Sequence, residues 1–80
     1  MKDYIDIYLE DGSKCQMEVV SIFKLDDYEF NYIIYCELDR SHYYLAKYIG
    51  DNIVNLSTDF NDEEFRRANA IFKVVVEKWN

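Results

Sequence analysis

Basic residues are scarce in this chain. Its 80 residues include 9 Lys and Arg against 16 Asp and Glu, a formal net charge of −7 at pH 7. Proteins bind nucleic-acid phosphates through clustered Lys and Arg, and the only adjacent basic pair here is Arg66-Arg67. We therefore expect neither direct nucleic-acid binding nor attachment to an anionic membrane. The acidity favours solubility and basic partners.

Residues that usually build catalytic and cofactor sites are also few. The two glycines, Gly12 and Gly50, form no phosphate-cradling loop, and no nucleophile elbow or cofactor signature is present. Cys15 and Cys36 lack CxxC spacing, so we predict reduced core thiols rather than a disulfide or a metal site. The single histidine, His42, could serve Cys36 as a base, but cysteines inside strands are seldom activated. We therefore expect no catalytic residue, cofactor or metal, and no enzyme.

Long apolar runs and linkers are absent as well. No run approaches the roughly 18 apolar residues that a membrane helix needs, and no stretch is rich in proline or serine. Asp3 and Asp6 interrupt the first apolar segment, which is not typical of a signal peptide. Half of the residues are hydrophobic, which suffices for a core without metal or disulfide. We expect one cytoplasmic domain, residues 1–80.

What the chain does contain is a series of short apolar patterns with a period of two. They predict five strands, at about 4–10, 14–24, 30–38, 42–49 and 53–56. In the second strand the apolar parity changes at Val19-Val20, which indicates either a bulge or burial on both sides.

The first turn tests the pairing of the first two strands. A three-residue loop, Glu10-Asp11-Gly12, places Ile5 opposite Met17 and Ile7 opposite Cys15. A two-residue loop would instead set both isoleucines against polar residues, because a slip of one residue exchanges the faces. We therefore predict the three-residue loop.

The last twenty residues predict an amphipathic helix over about 62–79. Asn61 and Glu64 have the spacing of a capping box, and Phe60 and Phe65 that of a hydrophobic staple. One stripe at helical spacing contains Phe65, Ala68, Phe72, Val75, Val76 and Trp79. The run 74–76 is β-branched and would also suit a strand, but we expect the stripe to prevail. The acidic clusters, including Asp59, Asp62, Glu63 and Glu64, we interpret as solvated carboxylates.

Together these elements predict the α+β class. Strands joined by short turns pair antiparallel, and one helix can cover one face of their sheet. We expect a five-stranded meander, either a twisted sheet or a half-barrel, covered by the C-terminal helix.

Tyrosine is unusually frequent, with eight in the chain. The strand pattern places Tyr4, Tyr8, Tyr44 and Tyr48 on the sheet face away from the helix. Such tyrosines either stabilise the sheet as cross-strand pairs or form an acid-rimmed patch that docks a protein partner. Both interpretations remain open at this point.

Three segments carry a resemblance that spans nearly the whole chain. They are Tyr32-Ile33-Ile34-Tyr35, Tyr44-Leu45-Ala46-Lys47-Tyr48 and Asp62-Glu63-Glu64-Phe65. With them the chain resembles the YrzB-like family, small uncharacterised proteins of low-GC Gram-positive bacteria and mycoplasmas. The short turn Asp39-Arg40-Ser41 departs from the longer acidic loop of many relatives. The resemblance implies no established activity.

The function that these features favour is a small, acidic, non-enzymatic interaction module. It would recognise another protein through the tyrosine face or an edge strand, and an exposed edge would also allow two copies to pair as a homodimer. The alternative is a phage-type or regulatory inhibitor whose acidic surface mimics nucleic acid.

Overall fold

One antiparallel sheet and one helix make up the described part of the chain. The computed structural model describes residues 3–51, 53 and 55–79. The strands are β1 (Asp3–Tyr8), β2 (Lys14–Lys24), β3 (Asn31–Cys36) and β4 (Tyr43–Tyr48), in the order β1-β2-β3-β4, followed by α1 (Asp62–Trp79). The predicted α+β class, antiparallel meander and C-terminal helix are therefore confirmed.

The predicted fifth strand is wrong, because the described residues of 53–56 form no strand. Ile53 lies in a turn and its N–H donates to the carbonyl of Asp51 at 3.0 Å, so this amide is used locally. Val54 lies outside the described residues. A single antiparallel bridge between Lys47 and Ser57 takes the strand's place, with N–H···O distances of 2.9 and 2.8 Å.

The first hairpin has the predicted register. Ile5 pairs with Met17, and Ile7 pairs with Cys15. The loop closes where the Leu9 N–H donates to the carbonyl of Ser13 at 2.8 Å and the Gly12 N–H donates to that of Leu9 at 3.0 Å. Gly12 has φ +87°, the left-handed conformation that glycine adopts without strain.

A bulge interrupts β2, which is the first of the two alternatives that the change of parity indicated. Val19 pairs with Tyr35 but Ser21 pairs with Ile34, so Val20 is the extra residue on β2. The extra residue exchanges the faces of the residues that follow it. Apolar side chains before and after the bulge can therefore pack on the same side of the sheet.

Both faces of the sheet bury apolar residues. One face carries a cluster of Met17, Ile33, Tyr35, Ala46 and Tyr48, against which Ile53 and Leu56 pack. The other carries Leu25 and Tyr32, which pack with Ala68 and Ile71 of α1 and with Phe60 before it. Strand β3 lies between two strands, and both of its faces are covered, one by Ile53 and Leu56 and the other by α1 and Phe60. Residues 32–36 are therefore all buried.

The start of α1 has the predicted caps. The Glu64 N–H donates to Asn61 Oδ1 at 2.8 Å, and the Asn61 N–H donates to Glu64 Oε1 at 3.3 Å. The rings of Phe60 and Phe65 meet edge to face with centroids 5.9 Å apart. Phe65 lies against Phe60 and stays largely exposed, so its predicted place in the buried stripe is wrong.

Candidate protein-interaction surface

The four tyrosines of the predicted patch lie on two faces of the sheet. Residues directly opposite each other in neighbouring strands share a face. Tyr4 pairs with Glu18, Glu18 with Cys36, and Cys36 with Tyr43. Tyr44 follows Tyr43 and therefore points to the opposite face from Tyr4. The prediction of one tyrosine face is wrong.

Tyr44 and Tyr48 are part of the packing on the face away from the helix. Tyr48 is only 8% exposed and belongs to the apolar cluster of that face. The ring of Tyr44 stacks on that of Tyr35, with centroids 5.3 Å apart. Burial, with a smaller effect of Tyr44, raises the pKa of the Tyr35 hydroxyl. These two positions of the predicted patch therefore stabilise the sheet.

Tyr4 and Tyr8 have a different environment, because β1 is an edge strand of the sheet. They are 48% and 61% exposed, and Asp6 lies between them on the same face. The carboxylate of Asp6 lies 3.8 Å from the Lys14 ammonium, and both side chains are well exposed. We call these three residues, Tyr4, Asp6 and Tyr8, the β1 edge.

The backbone groups of the β1 edge point away from β2. Hydrogen-bonded and non-hydrogen-bonded pairs alternate along an antiparallel ladder. The bond from the Leu9 N–H to the Ser13 carbonyl makes that pair a bonded one, and Ile7 with Cys15 is the next. The N–H and C=O groups of the β1 edge therefore face outward. No backbone hydrogen bond from any residue that the structure describes reaches them.

An opening of about 180 Å³ lies beside this edge. It is lined by Ile7 and Tyr8 of β1, by Tyr35, and by Leu56 and Thr58 of the segment after β4. The segment therefore covers the sheet without closing onto β1. The space is large enough for one apolar side chain from a strand added at β1.

The opposite edge of the sheet is partly occupied. Ser57 bonds to the backbone of Lys47 in β4, which takes outward-facing groups of that strand. Beside this bridge is an opening of about 340 Å³, lined by Phe30, Lys47, Tyr48, Ile49, Asn55, Ser57 and Asp59. The two edges therefore differ: β4 carries part of the chain's own backbone, and β1 does not over its described length.

A buried ionic contact holds the start of α1 on the sheet. The Lys47 ammonium lies 3.0 Å from both oxygens of the Glu64 carboxylate, and the Tyr32 hydroxyl donates to Glu64 Oε2 at 2.7 Å. Glu64 is 1% exposed, so the prediction that it is solvated is wrong. Burial opposes its ionisation, but the hydrogen bonds from Tyr32, Lys47 and Asn61 outweigh burial and hold the pKa of Glu64 below its usual value.

A second buried acid lies in β2, and the sequence did not indicate its burial. Glu18 is almost fully buried, and its carboxylate lies 3.7 Å from the guanidinium of Arg40. The same guanidinium lies over the Trp79 ring, 4.9 Å from its centroid. Arg40 thus connects the buried acid of β2 to Trp79, the last residue of α1. Glu18 also lies directly opposite Tyr4 of the β1 edge.

His42 and Cys36 do not meet. His42 Nδ1 lies 2.9 Å from Glu37 Oε2 and 3.1 Å from Ser41 Oγ, at the exposed turn before β4. Cys36 is fully buried, and burial raises the pKa of its thiol. Both cysteines are free, and Cys15 is half-buried. A raised thiol pKa opposes formation of the nucleophilic thiolate.

No group of three or more His, Cys, Asp or Glu that could hold a metal ion occurs in the described part of the chain. The helix that the structure describes lacks the apolar length to cross a membrane.

Comparisons with known proteins give no relative for this chain. No family model matches it, and neither the curated proteins nor the solved structures contain a match. The resemblance to the YrzB-like family therefore stays a prediction.

Proposed function

We propose that the protein is a non-enzymatic interaction module that binds an extended segment of another protein along the β1 edge. The observation that carries the proposal is the outward direction of the backbone N–H and C=O groups of Tyr4, Asp6 and Tyr8. An extended chain that lies beside such an edge continues the sheet and satisfies both sets of backbone groups.

The two tyrosines supply contact area to such a strand. Tyr is favoured at binding hot spots because a large ring is buried while the hydroxyl stays in water. Tyr4 and Tyr8 flank Asp6 on one face and are about half exposed or more. A side chain of the added strand would pack directly against each ring.

The charge around β1 favours a basic partner. Asp3, Asp6, Glu10 and Asp11 are exposed there, against Lys14 among the described residues. The whole chain carries −7. Complementary charge increases the rate at which partners meet. The exposed contact between Asp6 and Lys14 contributes little stability, so Asp6 can exchange it for a partner's charge.

A pair of substitutions at Asp6 tests the function. Asp6→Ala removes the carboxylate but keeps the outward N–H, whereas Asp6→Pro also removes that N–H. Because the bonded pairs of β1 and β2 are the neighbouring residues, both variants should fold and unfold at similar urea concentrations. Each variant is immobilised and exposed to host extract. The protein that binds to the wild-type chain should bind Asp6→Ala more weakly and Asp6→Pro not at all. Equal binding to both variants overturns the proposal.

Amide hydrogen exchange locates the contact. On addition of the purified partner, the exposed amides of Tyr4, Asp6 and Tyr8 should exchange more slowly, while those of Ile5 and Ile7, already bonded to β2, should not change. Binding that collapses with rising salt, tolerates Asp6→Pro and protects none of these amides would instead favour the inhibitor with a nucleic-acid-like surface.

A further inference from the structure

Resting on the function proposed above, we propose a sequence pattern for the segment that the β1 edge binds. It is an antiparallel strand with Lys or Arg opposite Asp6, apolar residues opposite Ile5 and Ile7, and β-branched or aromatic residues opposite Tyr4 and Tyr8. The juxtaposition of one carboxylate between two exposed tyrosines, beside an opening bounded in part by Ile7 and Leu56, selects this pattern.

The position opposite Asp6 decides against a second copy of the chain. Two β1 strands that bond through all three outward-facing residues must place Asp6 opposite Asp6 and Tyr4 opposite Tyr8. Like charges directly opposite each other destabilise a strand pair. A register shift by two residues in either direction places Tyr4 or Tyr8 opposite a residue outside the β1 edge of the other copy. The Asp6 carboxylate thus opposes pairing of two copies, whereas a Lys or Arg of another protein opposite Asp6 forms a favourable charge pair.

The residues opposite Ile5 and Ile7 lie on the other face of the added strand, and their environment determines that they are apolar. Their side chains would point to the side of the sheet on which Ile5 and Ile7 pack against the core. There the opening of about 180 Å³ is bounded by Ile7 and Leu56. A Val or Ile side chain would fill this space and remove its apolar walls from water. A charged side chain at the same position would be buried without a partner.

The positions opposite Tyr4 and Tyr8 lie on the exposed face of the edge. Aromatic and β-branched residues form the favourable cross-strand pairs with tyrosine. Alternation then makes the partner segment apolar on one side, with a single basic residue between two β-branched or aromatic residues on the other.

A designed peptide tests the pattern with the full chain. The probe is the capped peptide Ser-Thr-Val-Lys-Val-Thr-Ser, and its control carries Glu in place of Lys. Both are titrated into the isotope-labelled protein and followed by NMR. We expect the Lys peptide to bind about three- to tenfold more tightly than the Glu peptide. In Asp6→Lys the preference should reverse, and in both proteins the largest shifts should occur at the amides of positions 4, 6 and 8.

The variants separate failure of the pattern from failure of the function. If both peptides bind equally and Asp6→Pro abolishes both, the β1 edge binds strands but the basic requirement is overturned. If Asp6→Pro binds the Lys peptide as well as Asp6→Ala does, the edge is not the site, and both proposals are overturned. Failure of the Lys peptide to bind at millimolar concentration also overturns the pattern, whereas the host partner still tests the function.

Discussion

Lys47 and Glu64 join the last strand to the first turn of the helix through a buried ion pair. The ammonium is within 3.0 Å of both carboxylate oxygens, and both side chains are more than nine-tenths buried. Phe30 covers the ammonium at 4.1 Å from its ring centroid. The pair therefore has little access to water, and each charge depends on the other.

Removing one partner of this pair should destabilise the fold strongly. Glu64→Gln can still hydrogen-bond Asn61 and Tyr32 but leaves the Lys47 charge buried and unpaired, which costs about 3–5 kcal/mol. Urea unfolding followed by circular dichroism measures the loss. The matched control is the double variant Lys47→Met with Glu64→Gln, which should be more stable than Glu64→Gln alone. A single variant within 1 kcal/mol of wild type, on the order of a surface substitution, would contradict a buried pair.

The same carboxylate should make stability depend on pH. The pKa of Glu64 is lowered in the folded protein from its ordinary 4.5, so the folded state binds fewer protons than the unfolded state. The contribution is complete above the unfolded pKa and is lost as pH falls through the folded pKa. We expect the free energy of unfolding of wild type to fall from pH 6 to pH 3 more steeply than that of Glu64→Gln. Parallel curves for the two proteins would contradict this assignment.

A side chain at Gly12 would have enough space, but the backbone conformation there disfavours any residue other than glycine. Nothing lies within 4 Å of a Cβ built there, yet φ is +87°. Gly12→Ala should therefore cost about 1 kcal/mol through backbone strain alone. Gly50 has an equally open site and φ +60°, so Gly50→Ala is the comparison and should lose a similar amount. Thermal unfolding measures both, and an unchanged midpoint in Gly12→Ala would show that the loop adopts another turn.

What could be predicted from the sequence was fixed by local spacing. The capping box of Asn61 and Glu64 spans three positions, and the register of Ile5 with Met17 follows from one short loop. In both cases few conformations satisfy the pattern, so the apolar and polar residues determine the answer. The bulge in β2 is of the same kind, since it reconciles two halves of a single strand.

The misses arise where distant parts of the chain meet. Alternation along β4 does not show whether Tyr44 shares a face of the sheet with Tyr4, because that depends on every strand register between them. Glu64 can be buried because it pairs with Lys47 of β4, and the two meet only when the helix packs on the sheet. The apolar residues of 53–56 predicted a strand, but Ile53 and Leu56 instead cover the core. Tyr4 and Tyr8 of the β1 edge were predicted as partner-binding residues, but on one face with Tyr44 and Tyr48, and Asp6 was not predicted.

The carboxylate of Asp6 should determine whether two copies of the protein pair. In the register that bonds Tyr4, Asp6 and Tyr8 of both copies, it lies opposite its own counterpart, and this repulsion should keep the wild-type protein monomeric. Asp6→Val removes the repulsion and adds a β-branched residue, so the edge loses the charge that opposes self-association. Sedimentation equilibrium should show a dimer for Asp6→Val, whereas Asp6→Lys, with a like charge of opposite sign, should stay monomeric. A dimer of Asp6→Lys, or a monomer of Asp6→Val at millimolar concentration, would show that the charge at this position does not control pairing at β1.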